Sequence, residues 1–112
     1  MPRLRAIVTG ASRGIGAAIV QDISSRGYES FGLSRSGVTG AGTGMVCDVS
    51  DEDQIKRVFA SIVASGPVDL LVNNAGAYMA RRSADLTAKE YNRVMNLNAT
   101  SMMIACREIY PS

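Results

Sequence analysis

Apolar residues fall into two alternating rhythms along the chain. Arg5–Thr9, "RAIVT", is a short run rich in branched side chains with no polar alternation, the pattern of a strand buried on both faces. Beyond a glycine-rich turn, Ile15, Ala18, Ile19 and Ile23 recur at helical spacing, and Gly27 stands where a helix C-cap glycine belongs. "YESFGLSR" (28–35) predicts a second strand. The loop "SGVTGAGTG" (36–44) carries four glycines, and "MVCDV" (45–49) predicts a third strand. That loop is shorter than the dozen or so residues that a parallel crossover normally takes.

The helical rhythm then returns. Ser50 with Asp53 has the spacing of a capping box, and Ile55, Val58, Phe59, Ile62 and Val63 behind it make a single apolar stripe. Gly66 and Pro67 stop that helix, and "VDLLVNNAG" (68–76) reads as another doubly buried strand running into a turn. Thr87 and Glu90 form a second capping box, and a further helix is predicted over 99–110, ended by Pro111. Strands alternating with helices imply an α/β fold, a mostly parallel sheet covered on both faces.

Composition narrows this picture. At 112 residues the chain is predicted to be one domain, residues 1–112, with 46% apolar side chains to build one core. A formal charge of +2, from 12 basic and 10 acidic residues, argues against a nucleic-acid surface, so any bound anion must be held locally. Cys47 and Cys106 stand far apart and histidine is absent, which argues against a metal site and a histidine-based triad. The N-terminal apolar stretch is too short for a signal peptide, and no run approaches the ~18 residues of a membrane span. The expectation is a soluble, cytoplasmic protein with reduced thiols.

In doubly covered parallel sheets, ligands sit at the carboxyl ends of the strands. Three stretches with chemical promise fall there: the turn after Thr9, Arg35, and 73–76. Gly10, Gly14 and Gly16 lead into a helix, whose unpaired N–H groups and partial positive charge suit a diphosphate approaching bare main chain. The spacing is Gly-x-x-x-Gly-x-Gly rather than the general dinucleotide fingerprint.

"TGASRGIG" (9–16) and "NNAG" (73–76), with "CDVSD" (47–51) and "NLNAT" (Asn96–Thr100), resemble the short-chain dehydrogenase/reductase family over essentially the whole chain. The resemblance implies a Rossmann-type doubly wound parallel sheet, here incomplete, with about four strands in the order 3-2-1-4. It implies cofactor contacts from Gly10, Ser12, Arg13, Gly14, Ile15 and Gly16. Asp48 and Val49 are expected to face adenine, Asn74, Ala75 and Gly76 to line the cofactor, and Asn73 to tie neighbouring strands. For Asp48, capping of the following helix is an equally good reading.

At the end of the second strand an acidic residue would select NAD, whereas arginine accommodates the 2′-phosphate of NADP. Ser34 stands near the acidic position with Arg35 beside it, and Arg13 is a second cation in the same region. A guanidinium pairs with phosphate through two charge-assisted bonds, so NADP(H) is the expected cofactor.

Reduction of a carbonyl also needs a proton donor and a group that polarises the oxygen. The resemblance implies an Asn-Ser-Tyr-Lys set, of which Asn96 matches the asparagine. Tyr28, Tyr78, Tyr91 and Tyr110 have no lysine four places on, and the two lysines, Lys56 and Lys89, lie on predicted polar helix faces. The "DLLV" strand would also stand at a sheet edge with nothing beyond it, although it is apolar on both faces. The expectation is therefore the cofactor half of an NADP(H)-dependent oxidoreductase, truncated before its Ser/Tyr/Lys region and inactive alone. It would act on a small carbonyl or alcohol once completed by a further segment, a second chain or a homo-oligomeric partner. The alternatives are a non-catalytic dinucleotide-binding or interaction module and an inert remnant.

Overall fold

The computed structural model describes residues 3–75 and 87–110. In chain order the elements are β1 (Arg5–Thr9), α1 (Gly14–Ser25), β2 (Glu29–Ser34), β3 (Thr43–Val46), α2 (Glu52–Ala64), β4 (Leu70–Val72), α3 (Ala88–Met95), a π-helical turn (Asn96–Thr100) and α4 (Ser101–Ile109). The four strands form one parallel sheet in the order β3-β2-β1-β4. Alternate residues of β1 serve opposite faces. Ala6 and Val8 pack with Val20 and Ile23 of α1 on one side, while Ile7 packs with α2 and α4 residues, among them Phe59 and Ile104, on the other. The sheet is doubly wound as expected, and every residue of β1 is buried.

A charged residue within that buried strand needs partners. The Arg5 guanidinium donates to the carbonyls of Ile62 and Pro67 and to Ser65 Oγ, lies 3.6 Å from Glu29 and stacks 5.0 Å from the Phe31 ring centre. It fastens the carboxyl end of α2 beneath the sheet, where the helix dipole favours a cation.

Five expectations shift by a residue or a register. The buried face of α1 runs through Gly16, Val20 and Ile23, whereas Ile15 is 73% exposed and Ala18 is exposed. The helix is rotated from its predicted phase because Gly16, not Ile15, meets the sheet. β3 occupies Thr43–Val46 rather than 45–49, and Cys47 to Val49 lie beyond its end. The short β2–β3 connection is sufficient because Phe31 pairs with Thr43. The chain therefore backtracks only about 10 Å along β2, well within the reach of residues 35–42 at ~3.3 Å each. β4 is three residues long and half-buried, at the sheet edge. The last helical stretch does not start afresh at residue 99: the π-helical turn joins α3 directly to α4.

The fifth shift concerns the start of α2. Asp51, not Ser50, is its N-cap, accepting from the Asp53 and Gln54 N–H groups at 3.0 and 3.3 Å, while Ser50 turns back to Asp48. The Thr87 box forms as expected, with the Glu90 N–H donating to Thr87 Oγ1 and that hydroxyl to Glu90 Oε1. Among the described residues no helix is long and apolar enough to cross a membrane.

Asp51→Ala should lower unfolding stability by about 1 kcal/mol in urea titration, and Ser50→Ala by distinctly less; the reverse order would return the cap to Ser50. A second prediction concerns Cys47, which is 2% exposed in the core. Burial, then the neighbouring Asp48 carboxylate, push its thiol from 9.0 up to about 11. The unfolded chain thus loses this proton first, and stability falls as pH rises from about 9 towards 11. Urea midpoints should drop more steeply over that range in the native sequence than in Cys47→Ala; parallel profiles would contradict the assignment.

Candidate functional site

The carboxyl ends of β1, β2 and β4 and the segment after β3 converge on a cleft of about 590 Å³. Its floor is the turn between β1 and α1. Gly10 and Gly14 adopt φ of 66° and 60°, in the left-handed region that favours glycine. A Cβ on Gly16 would overlap the Gly10 carbonyl oxygen and crowd the Asn74 amide, so α1 can approach the sheet this closely only with glycine there. A Cβ on Gly14 would meet no protein atom within 4 Å, because that position opens into the cleft.

Thr9 holds the turn in place. Its buried hydroxyl accepts from the Asn74 and Ala75 N–H groups at 3.1 and 3.0 Å and donates to the Val72 carbonyl at 3.4 Å. Asn74 Nδ2 then donates to the Gly10 carbonyl at 3.2 Å, while the Ala11 N–H reaches the Leu33 carbonyl at 3.1 Å. Three strand ends are thereby locked to one turn. The α1 N-terminus that faces the cleft has Arg13 as its N-cap, makes no side-chain cap hydrogen bond and has no acidic residue in its first turn. A helix end without a side-chain cap is of the kind that suits an anion.

The side walls bring together residues distant in sequence. Ser34 shapes the wall at the end of β2: its Oγ accepts from the Gly37 N–H at 3.0 Å, donates to the Val38 carbonyl at 3.3 Å and lies 3.3 Å from Ser36 Oγ. Arg35 follows it. Opposite, Asp48 Oδ1 accepts from the Ser50 N–H at 2.9 Å and the Ser50 hydroxyl at 2.7 Å. These bonds, with the Arg35 and Arg93 guanidiniums nearby, hold the Asp48 carboxyl below its ordinary range. Asp48 does not cap α2, but its N–H is tied at 2.8 Å to Gln54 Oε1 in the first turn of that helix.

Gly10, Ser12, Arg13 and Gly14 all line the cleft, as do Ser34, Arg35, Asp48, Val49, Asn74 and Ala75. Two expected residues do not. Ile15 points to solvent, and Gly16 lies beneath the turn, where its lack of a side chain permits packing. Gly76 lies outside the described residues, as does Tyr78. Among the described residues the Asn73 carboxamide approaches Cys106 Sγ on α4 at 3.8 Å, while Thr9 and Asn74 tie strand ends to the turn. The backbone of Asn96 opens the π-helical turn, and its side chain is outside the described set.

Sequence reasoning missed Thr9, Arg93 and Asn98. Thr9 was signalled by a polar β-branched residue ending an apolar strand. Arg93 reaches the cleft wall from α3, a docking that no local spacing announces. Asn98 stands half-buried at the centre of the π-helical turn, a kind of local widening found often at functional sites.

A profile of the family described as short chain dehydrogenase matches residues 5–112. A chloroplastic tropinone reductase homolog of Arabidopsis thaliana is 33% identical over 124 residues, covering 96% of this chain and 38% of the relative. The 3-oxoacyl-[acyl-carrier-protein] reductase MabA of Mycobacterium tuberculosis is 36% identical over 96 residues, covering 84% of this chain and 39% of that protein. The chain thus spans less than half the length of either relative. Among solved structures, a blue fluorescent protein from a metagenomic library, in complex with NADPH, superposes with a TM-score of 0.86 at 31% identity, over 97% of this chain and 51% of that one. The aldohexose dehydrogenase of Thermoplasma acidophilum, in ligand-free form, gives 0.90 at 30% identity, over 97% and 44%. A parallel sheet in the order β3-β2-β1-β4 and a family match across nearly all of its length place this chain in the short-chain dehydrogenase family.

Proposed function

We propose that the 112 residues form one dinucleotide-binding domain that holds NADP(H) in this cleft, as the cofactor-binding part of an oxidoreductase acting on a carbonyl or alcohol. The observation that carries the reading is the convergence, in one cleft, of a positive-φ glycine turn, an uncapped helix N-terminus and two arginines at the end reached by β2. The donor set fits the group: main-chain N–H groups for a diphosphate, and guanidiniums for an additional phosphate monoester. NADPH in the blue fluorescent protein, and NADP in a metagenomic short-chain oxidoreductase that superposes with a TM-score of 0.87 at 27% identity, support the choice of cofactor.

In this reading the N–H groups of the turn, with Ser12 and Gly14, bind the diphosphate, and Gly10 and Gly16 let α1 close on it. Arg35 and Arg13 take the 2′-phosphate, Asp48 and Val49 border the adenosine, and Asn74 and Ala75, continuing into Gly76, line the middle. Bound cofactor supplies or accepts the hydride. Asn96 is the first candidate for a carboxamide beside the reacting carbonyl, and Asn98 on the same π-helical turn is the second. Since none of the four tyrosines has a lysine four places on, this polypeptide by itself should bind without turnover. The setting assumed is a reducing aqueous compartment, the cytoplasm.

Isothermal titration of the folded chain with NADPH and NADH tests the reading. NADPH should bind saturably and more tightly than NADH. Arg35→Asp should weaken NADPH by at least about 10-fold, and leave NADH equal or improved. An unchanged preference would remove Arg35 from the role, and a folded chain that ignores both dinucleotides would overturn the proposal.

A further inference from the structure

Asp48 and Val49 line the cleft but belong to no strand or helix; they lie between the end of β3 and the start of α2. A wall of irregular backbone keeps its shape only through the partners its main chain finds. The Cys47 N–H donates to the Ser34 carbonyl at 2.8 Å, which ties one end of the segment to β2, and the Asp48 carbonyl accepts from the Asp51 N–H at 3.0 Å. Between these two bonds, the Asp48 N–H is met by a side chain, Gln54 Oε1 at 2.8 Å.

That contact departs from ordinary helix capping. Asp51 is the N-cap of α2, so Gln54 stands at the third helical position, where a capping box sends the carboxamide back to the N–H of the cap itself. Here the cap N–H is already held by the Asp48 carbonyl, and the carboxamide passes over it to the cleft wall. Its orientation is fixed from the other end: Gln54 Nε2 donates to Asp51 Oδ2 at 3.2 Å, and an ionised carboxylate only accepts, so the Gln54 oxygen must face Asp48. Gln54 is half-buried and does not itself line the cleft. It acts on the cleft through Asp48.

The Asp48 side chain shows what the wall presents. Both Ser50 bonds, at 2.9 and 2.7 Å, go to Oδ1. Oδ2 makes no hydrogen bond among the described residues, so it is the acceptor that an N–H of a base in the cleft can use.

We propose that Gln54 is a positioning residue: by holding the Asp48 N–H it fixes the wall of Asp48 and Val49, and with it the fit of the cofactor's purine. The assignment rests on the dinucleotide reading above, in which these two residues border the adenosine.

NADPH and its hypoxanthine analogue, reduced nicotinamide hypoxanthine dinucleotide phosphate, differ only in the purine, where a keto oxygen replaces the amino group. Both are titrated calorimetrically into the folded native chain, Gln54→Met and Gln54→Glu, with circular dichroism melts to verify folding. Methionine keeps the length of the side chain without either bond, whereas glutamate keeps an acceptor for the Asp48 N–H. The native chain should prefer NADPH. Gln54→Met should weaken NADPH about 3–10-fold and the analogue less than about 2-fold. Gln54→Glu should retain most of the preference, even where its carboxylate beside Asp51 lowers the melting temperature. Equal losses for both ligands would make Gln54 a general support of the fold, no loss for either would detach it from the cleft, and a native chain indifferent to the purine would have no wall that reads the base; each result overturns the assignment. If the native chain binds NADPH and only the dependence on Gln54 is missing, the cofactor reading stands alone. If the native chain binds neither dinucleotide, both readings fall together.

Discussion

One hydroxyl organises the working end of this fold. Thr9 Oγ1, buried where β1 ends, takes the two N–H groups that follow β4 and so brings Asn74 and Ala75 against the glycine turn. Asn74 returns the contact to the Gly10 carbonyl, directly above the place where Gly16 packs. A side chain at Gly16 has no room, and one at Gly10 would be strained at φ 66° and tight against Ala75, so α1 is held at a fixed distance from the sheet. An unanchored turn would leave the α1 N-terminus no defined position relative to β2 and β4.

That geometry also concentrates charge. The chain as a whole is only slightly basic, +2, yet among the described residues three arginines and one aspartate line one cleft. The arrangement places positive charge from separate elements around a site whose floor contains uncharged N–H donors. Neutral main chain suits close approach to a diphosphate; guanidiniums at the rim suit a more exposed phosphate and add selectivity. The sheet positions both by ending its strands at a common level.

Much of the fold was legible because buried strands and amphipathic helices write their periods into the chain. β1 and the stripe of α2 match their predicted residues, and the strand order is the one that the family resemblance implied. What was not legible depended on contacts between elements. The phase of α1 is set by the close approach of Gly16, a residue with no hydrophobicity to announce it, so the more apolar Ile15 was given the wrong face. Asp51 and Ser50 are both good caps, and the choice turns on Ser50 being recruited by Asp48. The glycine turn and Arg35 could be found from residue types at strand ends, and Asp48 from the family resemblance; Arg93 could not, since its place follows from how α3 docks.

The most direct measurement is an ¹H–¹⁵N correlation spectrum of the assigned chain, recorded as NADPH is added. If the Thr9-anchored turn holds the diphosphate, the amides of Gly10, Ser12 and Gly14 shift most, together with Asn74 and Ala75. Saturable binding that leaves those amides unmoved, with the largest shifts on α2 or α4, would contradict it.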